Sequence, residues 1–172
     1  MQKIIIFGNS SSGKSTLAIK LSAERKLAHL DLDTLAWLPT IPPQRKPITD
    51  SAKEIAIFTQ KHENWVIEGC YSDLLELLAI KSSIDEVQSW ANCTANEMFF
   101  LDLPIETCIK NATQRPWEPH KYSSKQAQDE NLGMLIHWIK NYETRTDTFS
   151  KKSHQALYNS FAGKKIIIKN NI

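Results

Sequence analysis

This chain is built around the segment Gly8-Asn9-Ser10-Ser11-Ser12-Gly13-Lys14-Ser15-Thr16. An apolar run, residues 4–7, precedes it, and a helix-forming segment follows from Leu17. The pattern G-x-x-x-x-G-K-[ST] between a strand and a helix is typical of a phosphate-binding loop. With average glycine usage, a chance match in a chain of this length is expected about once in a hundred sequences. The segment therefore predicts a strand, a nucleotide-binding loop and a helix.

Each residue type in this loop has a physical task. Gly8 and Gly13 permit backbone torsions that a Cβ disfavours, so consecutive N–H groups can point at phosphate oxygens. The helix that follows turns its unpaired N-terminal amides to the same anion. Lys14 reaches the β- and γ-phosphates as a point charge, and the Ser15 hydroxyl suits Mg²⁺, which prefers oxygen ligands. Residues 8–16 are therefore expected to bind ATP together with Mg²⁺.

Length and composition restrict the kind of protein. A chain of 172 residues, 41% hydrophobic and 23% charged, predicts one domain with its own core. The net charge of +2 is too small to favour direct nucleic-acid binding. The three cysteines lack C-x-x-C spacing, so neither a disulfide framework nor a thiolate metal site is expected. Without a signal peptide or an apolar run of membrane-spanning length, we expect a cytoplasmic protein with no membrane partner.

Apolar strands alternate with helices along the chain. Strands are expected at residues 4–7, 27–33, 65–69, 98–103 and 165–169. Helices are expected at about 17–26, from 51, at 74–80, up to about 115, around 132–142 and up to 163, with a further turn near 83. This alternation predicts a three-layer α/β fold with a five-stranded parallel sheet covered on both faces.

Two local signals predict helix ends. Ser51 and Glu54 form the S-x-x-E pattern of a capping box, which predicts a helix start at Ser51. Gly163 follows the last helical segment and is a favourable residue just after a helix end.

Acidic residues lie where the second and third strands end. Asp31 and Asp33 follow the second strand, and Glu68 and Gly69 end the third. Ligands of such sheets bind at the carboxyl ends of the strands. Either aspartate can hold Mg²⁺ through water or accept a proton from an acceptor hydroxyl, and the alternative for one of them is to cap the strand exit. Glu68 is expected as the second metal-site acid, with a solvent-facing acid as the alternative, and Gly69 lets an acceptor approach the backbone.

Two further segments are expected beside the site. Residues 37–50 contain four prolines and form a stiff excursion on the acceptor side, where Arg45 is a candidate contact for an anionic acceptor. A solvated surface role is the alternative for Arg45. Residues 115–124 are polar and form a short lid, in which Arg115 is expected to clamp ATP and the transferring phosphoryl group. Arg145 is a second such candidate and His120 a weaker one.

With these residues in place, the chain resembles small P-loop kinases of the adenylate kinase and shikimate kinase superfamily. More closely, it is similar to the FlaR-type proteins described as DNA topology-modulation proteins. The resemblance rests on residues 8–15, 29–37, 65–71 and 115–120. Shikimate-type kinases resemble it in the D-x-D after strand two and in an Arg-Pro that opens the lid. Adenylate kinases resemble it in the acid-Gly pair after strand three.

The sequence and the resemblance together favour one function over two others. Adenylate kinases continue the acid-Gly pair with Phe-Pro-Arg, whereas this chain has Cys70-Tyr71-Ser72, which argues against a nucleoside monophosphate acceptor. We expect an ATP-dependent kinase that moves the γ-phosphoryl group of MgATP to a small-molecule acceptor. A nucleotide-binding regulator of DNA topology or gene expression is the main alternative. Slow ATP hydrolysis is a third, and no water-positioning residue is evident for it.

Overall fold

A parallel sheet of five strands forms the centre of the molecule. The computed structural model describes residues 1–79, 93–119 and 122–171, so the turn expected near Ser83 and the lid candidate His120 lie outside the described residues. The strands are β1 (Lys3–Gly8), β2 (Ala28–Asp31), β3 (Trp37–Leu38), β4 (Gln44–Arg45), β5 (Trp65–Gly69), β6 (Glu97–Leu101) and β7 (Lys164–Ile168). The central sheet has the order β2-β5-β1-β6-β7, and β3 and β4 form a separate antiparallel pair.

Helices cover both faces of this sheet. They are α1 (Lys14–Arg25), α2 (Ile48–Lys61), α3 (Ser72–Ala79), α4 (Ile105–Gln114), α5 (Lys125–Lys140) and α6 (Lys151–Ser160), with short 3-10 turns at Leu32–Thr34 and Asn141–Glu143. Alternate residues of β1 enter two separate apolar cores. Ile5 and Phe7 pack with residues of α2, α3 and α6, and Ile4 and Ile6 pack with residues of α1, α4 and α5. The predicted three-layer α/β fold with a five-stranded parallel sheet is confirmed.

The start of α2 differs from its prediction. This helix begins at Ile48, and Pro47 precedes it without a side-chain cap. Ser51 is therefore inside the first turn, where it is fully buried and its hydroxyl donates to the Leu35 carbonyl oxygen at 3.0 Å. The carboxylate of Glu54 accepts from Lys46. The predicted capping box is wrong because Pro47, whose φ is restricted near helical values, precedes the helix start.

The role of Gly163 also differs from its prediction. Helix α6 ends at Ser160, and Phe161 after it is extended. A Cβ on Gly163 would lie 2.5 Å from the Phe161 ring and 2.9 Å from the Asn96 carbonyl oxygen. This glycine therefore permits close packing between the last helix and the sheet, and it does not cap the helix.

The sheet order determines where chemistry can occur. Strand β1 lies between β5 and β6, and β2 lies beyond β5 at one edge. All these strands are parallel, so the loop after β1 and the acids after β2 and on β5 come to the same end of the sheet. No helix of the described ranges is both long enough and apolar enough to span a bilayer.

Candidate active site

A cavity of about 590 Å³ opens at the carboxyl ends of β1, β2 and β5. Its walls come from the loop after β1, from the ends of the two neighbouring strands, and from the end of α4 with the segment beyond it. The predicted site residues that line it are Ser10, Ser11, Ser12, Gly13, Lys14, Ser15, Thr16, Asp33, Glu68, Gly69 and Arg115. Outside its lining lie Gly8, Asn9, Asp31, Arg45 and Arg145.

The loop after β1 has the backbone that its glycines predict. Gly8 has a φ of +152° and Gly13 a φ of +93°, both in the region that favours glycine. A Cβ on Gly8 would lie 2.4 Å from the Leu101 carbonyl oxygen. This distance is too short for a carbon–oxygen contact, so the position requires glycine. Ser11 also has a positive φ, of 58°, which its residue type does not predict. The loop is therefore a tight concave turn that leads into α1.

Asn9 holds this loop in place. Its side chain is buried, its Oδ1 accepts from the Ser10 N–H at 2.8 Å, and its Nδ2 donates to the Ile139 carbonyl oxygen at 3.1 Å. The Asn9 side chain joins the loop to the end of α5, and the expected part of Asn9 in nucleotide binding stays a prediction. The Lys14 ammonium donates to the Asn9 carbonyl oxygen at 2.8 Å, which positions it at the edge of the cavity.

The loop contains hydroxyls that suit an anion. Ser11 Oγ and Ser12 Oγ are buried and have no hydrogen-bond partner among the described residues. Burying a polar atom without a partner costs free energy, which a phosphate oxygen accepting from that hydroxyl would recover. The loop residues therefore fit a polyphosphate.

The two aspartates at the end of β2 have different positions. Asp31 Oδ1 accepts from the Asp33 N–H at 2.9 Å and caps the 3-10 turn Leu32–Thr34. Asp33 lines the cavity, and its Oδ1 accepts from the Tyr71 hydroxyl at 2.6 Å. The sequence left open which aspartate caps the strand exit and which one lies at the site. Asp31 is the cap, and Asp33 is the acid that lines the cavity.

Glu68 is a buried acid at the floor of the cavity. Only 2% of the residue is exposed, and its Oε1 has no hydrogen-bond partner in the described parts of the chain. The His29 Nε2 is 3.8 Å from that oxygen, too far for a hydrogen bond. A buried carboxylate oxygen without a hydrogen bond fits a hard cation or a water bound to one. Glu68 is therefore not a solvent-facing acid.

Oxygen donors for Mg²⁺ come together from three elements. Ser15 on α1, Asp33 after β2 and Glu68 on β5 line the same cavity. Within the described residues there is no group of three or more His, Cys, Asp or Glu side chains that can hold a metal by itself. Mg²⁺ is usually held by one or two carboxylates, substrate phosphates and several waters. The donor set fits that kind of site.

Tyr71 and Trp37 support Asp33 through a chain of hydrogen bonds. The Trp37 Nε1 donates to the Tyr71 hydroxyl oxygen at 2.7 Å. Because the indole is a donor only, the phenol proton is directed to Asp33. Burial raises the pKa of Tyr71 far above its usual range, so this proton is retained. Tyr71 was not among the predicted site residues, and its place two residues beyond Gly69 was the only signal for it.

Arg115 is the predicted lid residue that reaches the cavity. It follows α4, and its Nη1 pairs with Glu118 Oε2 at 3.0 Å. The sequence did not predict Asn111 and Asn171, which line the cavity beside Arg115, because neither belongs to a recognisable motif. Asn111 Nδ2 donates to the Ser11 carbonyl oxygen at 3.0 Å and to Asn171 Oδ1 at 2.9 Å. They join the loop to the end of the chain.

Arg45 and Arg145 lie outside this cavity. Arg45 pairs with Asp73 at 3.1 Å, and Arg145 pairs with Asp147 at 2.7 Å. Both guanidinium groups lie over aromatic rings, the Arg145 group 3.6 Å from the Trp138 centroid. Such cation–π contacts and ion pairs hold the two arginines in an aromatic cluster. The roles foreseen for them at the acceptor and the phosphates stay predictions.

A buried histidine supports the segment after β5. His154 is fully buried, its Nε2 is 2.9 Å from the Cys70 carbonyl oxygen, and its Nδ1 is 2.7 Å from the Tyr142 hydroxyl. Since a carbonyl oxygen only accepts, Nε2 carries the proton and Nδ1 accepts from Tyr142. Burial lowers the pKa of His154 to about 4, so it is neutral at pH 7. Burial also raises the pKa of the Cys70 thiol to about 12, which makes it a poor nucleophile.

Known proteins were compared with this chain at the level of sequence and of structure. No model of a protein family matches the sequence, and no curated protein matches it. Solved structures do resemble it. A sugar kinase from Janibacter sp. HTCC2649 is 13% identical, with a TM-score of 0.49 and coverage of 98% of this chain and 85% of that chain.

Two further kinases show similar likeness. A shikimate kinase from Bacteroides thetaiotaomicron is 15% identical, with a TM-score of 0.45 and coverage of 92% of this chain and 97% of that chain. A deoxyadenosine kinase from M. mycoides, with bound dATP, is 12% identical, with a TM-score of 0.49 and coverage of 98% and 91%. At such identities and TM-scores, these likenesses carry no argument about activity or substrate.

Proposed function

We propose that this protein is a phosphotransferase that moves the γ-phosphoryl group of ATP to a hydroxyl of a small-molecule acceptor. One observation carries the proposal: a phosphate-binding loop and two carboxylates from neighbouring strands line a single cavity. A protein that only bound nucleotide would need the loop alone. It would not need the buried Tyr71, whose hydroxyl donates to Asp33 at the cavity.

The loop side of the cavity would bind the triphosphate. The amides of residues 10–15, the positive end of α1 and the Lys14 ammonium supply donors and charge for phosphate oxygens. Arg115 would meet the transferring group when its contact with Glu118 is exchanged for one with phosphate. Ser15 and Glu68 would hold Mg²⁺, which when bound neutralises charge on the phosphates.

The opposite side of the cavity would orient the acceptor. Its hydroxyl oxygen attacks the γ-phosphorus, the bond from that phosphorus to the oxygen shared with the β-phosphate breaks, and ADP leaves. The hydroxyl proton passes to Asp33, whose position the Tyr71 hydroxyl maintains. Gly69, which lines the cavity without a side chain, leaves room for the acceptor at the backbone.

A matched pair of variants tests this proposal. Transfer from labelled MgATP is measured across nucleosides, sugars, polyols and their phosphates with wild type, Asp33→Asn and Asp31→Asn. Removing a general base lowers rates by about 10²–10⁴-fold, and we expect a loss of that size for Asp33→Asn with ATP affinity nearly unchanged. Asp31→Asn weakens a turn cap and should cost less than tenfold in rate.

Two outcomes would contradict the proposal. The first is full transfer activity in Asp33→Asn. The second is Lys14-dependent ATP binding without transfer to any acceptor, which would favour a nucleotide-binding regulator.

A further inference from the structure

We propose that the acceptor of this site is a hydroxyl compound without a phosphate or carboxylate group. The inference rests on the proposed phosphotransferase function and adds the charge class of the second substrate. It follows from where the described charged residues lie around the cavity and from how the nearest arginine is engaged.

Charges are divided between the two sides of the cavity. Strand β1 and its loop lie in the middle of the sheet order, with β5 and β2 on one side and β6 and β7 on the other. The carboxylates Asp33 and Glu68 belong to the β5–β2 side. Arg115 follows α4, which comes after β6, and therefore belongs to the opposite side. An acceptor on the β5–β2 side meets carboxylates.

The cations of the described cavity lining are committed to the triphosphate. They are Lys14 and Arg115. Lys14 begins α1 at the loop itself, and Arg115 pairs with Glu118 on the β6 side. An acceptor phosphate would add negative charge beside Asp33, and the described lining offers no further cation to balance it. Like charges placed side by side oppose binding.

Arg45, the arginine foreseen at an anionic acceptor, is held by groups outside the cavity. Its Nη2 pairs with Asp73 at 3.1 Å, and its Nε donates to the Ala36 carbonyl oxygen at 3.2 Å. Its guanidinium carbon lies 4.9 Å from the Tyr71 ring centroid and 5.2 Å from that of Phe149. The Tyr71 hydroxyl contacts Asp33, so Arg45 supports the ring that positions the acid. We infer that its role is structural.

Paired acceptors test the charge class directly. Each neutral compound is assayed beside its anionic counterpart with MgATP and wild-type protein: adenosine with AMP, glucose with glucose 6-phosphate and with gluconate, and glycerol with glycerate. We expect transfer to at least one neutral compound, with kcat/KM at least 100-fold lower for its anionic counterpart. Transfer to an anionic compound at a rate equal to or above that of its neutral partner would overturn the proposal.

A binding measurement decides the matter even if the panel misses the acceptor. Diadenosine pentaphosphate carries a longer polyphosphate than ATP and extends it toward the acceptor side. In calorimetry we expect its Kd to lie within about threefold of the Kd of ATP. Binding more than tenfold tighter than ATP that excess adenosine does not weaken would show a cationic acceptor subsite and overturn the inference, whereas tighter binding that adenosine removes would show a neutral nucleoside subsite and support it. If the protein does not bind ATP at all, the proposed function itself is wrong. This outcome differs from tight, adenosine-resistant pentaphosphate binding, which contradicts only the charge class of the acceptor.

Arg45→Gln tests the role of Arg45 in the same binding measurement. If Arg45 is structural, the ratio of the Kd of diadenosine pentaphosphate to the Kd of ATP stays at its wild-type value. A selective loss of pentaphosphate affinity of tenfold or more would assign Arg45 to an anionic acceptor and contradict the proposal.

Discussion

The two sides of the cavity are built in different ways. The side proposed for phosphate is one continuous segment, residues 8–16, whose backbone amides and one lysine would supply the binding groups. The side proposed for the acceptor is assembled from side chains of separate elements, namely Asp33 after β2, Trp37 on β3 and Tyr71 before α3. Its chemistry depends on packing between segments that are distant in the sequence.

This difference explains why the two sides respond differently to change. The amides of the phosphate side are present whatever the side chains, provided that the backbone keeps its left-handed residues. The acceptor side loses its geometry when one supporting side chain is removed. Substitutions on each side should therefore separate nucleotide binding from transfer.

The largest effect is expected where the backbone of the phosphate side is disturbed. In Gly8→Ala the new Cβ would meet the Leu101 carbonyl oxygen at 2.4 Å, with φ at +152°. Strain of this kind and forced repacking should lower the free energy of unfolding by about 3 kcal/mol, measured by urea unfolding. Gly133→Ala is the control, because its Cβ meets nothing within 4 Å in α5 and should stabilise the protein by about 0.5–1 kcal/mol. Equal effects of the two substitutions would refute this account of Gly8.

The second effect concerns His154, which supports the acceptor side from the core. Burial lowers its pKa in the folded protein to about 4, below the usual histidine value of 6.5. The unfolded chain therefore binds the proton first, and stability present above pH 6.5 is lost as the pH falls toward 4. Between pH 7.5 and 4 this loss should be about 3 kcal/mol.

Urea unfolding across this pH range measures the contribution of His154. His154→Gln should be less stable at pH 7.5 and should lack that part of the pH dependence. His137→Gln, which replaces an exposed histidine, is the control for the substitution itself. An unchanged slope in His154→Gln would show that His154 does not resist protonation.

The third effect is expected when the positive charge of Lys14 is removed from the phosphate side. In Lys14→Ala the charge-assisted contact with phosphate, about 1.5–3 kcal/mol, is lost, so the Kd for ATP should rise by about 10–150-fold. The melting temperature should change little, because the side chain lies at the cavity edge and makes one hydrogen bond to the Asn9 carbonyl oxygen. Lys20→Ala, at an exposed position of the same helix, serves as the control. A collapse of thermal stability with unchanged ATP affinity would disprove this placement of Lys14.

The smallest effect is expected when the Tyr71 hydroxyl is removed from the acceptor side. Tyr71→Phe leaves Trp37 Nε1 without its acceptor and Asp33 with one hydrogen bond fewer. We expect a loss of about 1 kcal/mol in stability and up to about tenfold in transfer rate, with ATP affinity unchanged. Tyr122→Phe, also in the cavity lining but bonded to Asn131, should leave transfer near wild type. If the two variants lose transfer equally, Tyr71 has no special role in positioning Asp33.

How far sequence reasoning succeeded depended on whether a signal was local. The glycine torsions at Gly8 and Gly13 are properties of one segment, and their prediction is confirmed. The capping box at Ser51 was also a local signal, but it was wrong because Pro47, four residues before the expected start, precedes a helix that begins at Ile48. Arg45 and Arg145 could not be placed, because the rings that hold them come from Trp37, Tyr71, Trp138 and Phe149.

The amino-acid sequence alone determined the strand and helix pattern, the parallel sheet and the glycine torsions of the loop after β1. Hydrophobic periodicity and a contiguous glycine-lysine motif act within a few residues of each other, so they can be recognised along the chain. Only the tertiary structure decided that Asp33 and not Asp31 reaches the cavity, and that Tyr71 holds it there. Which acid faces the cavity depends on a turn of three residues and on a side chain 38 positions away, and no pattern along the sequence records such contacts.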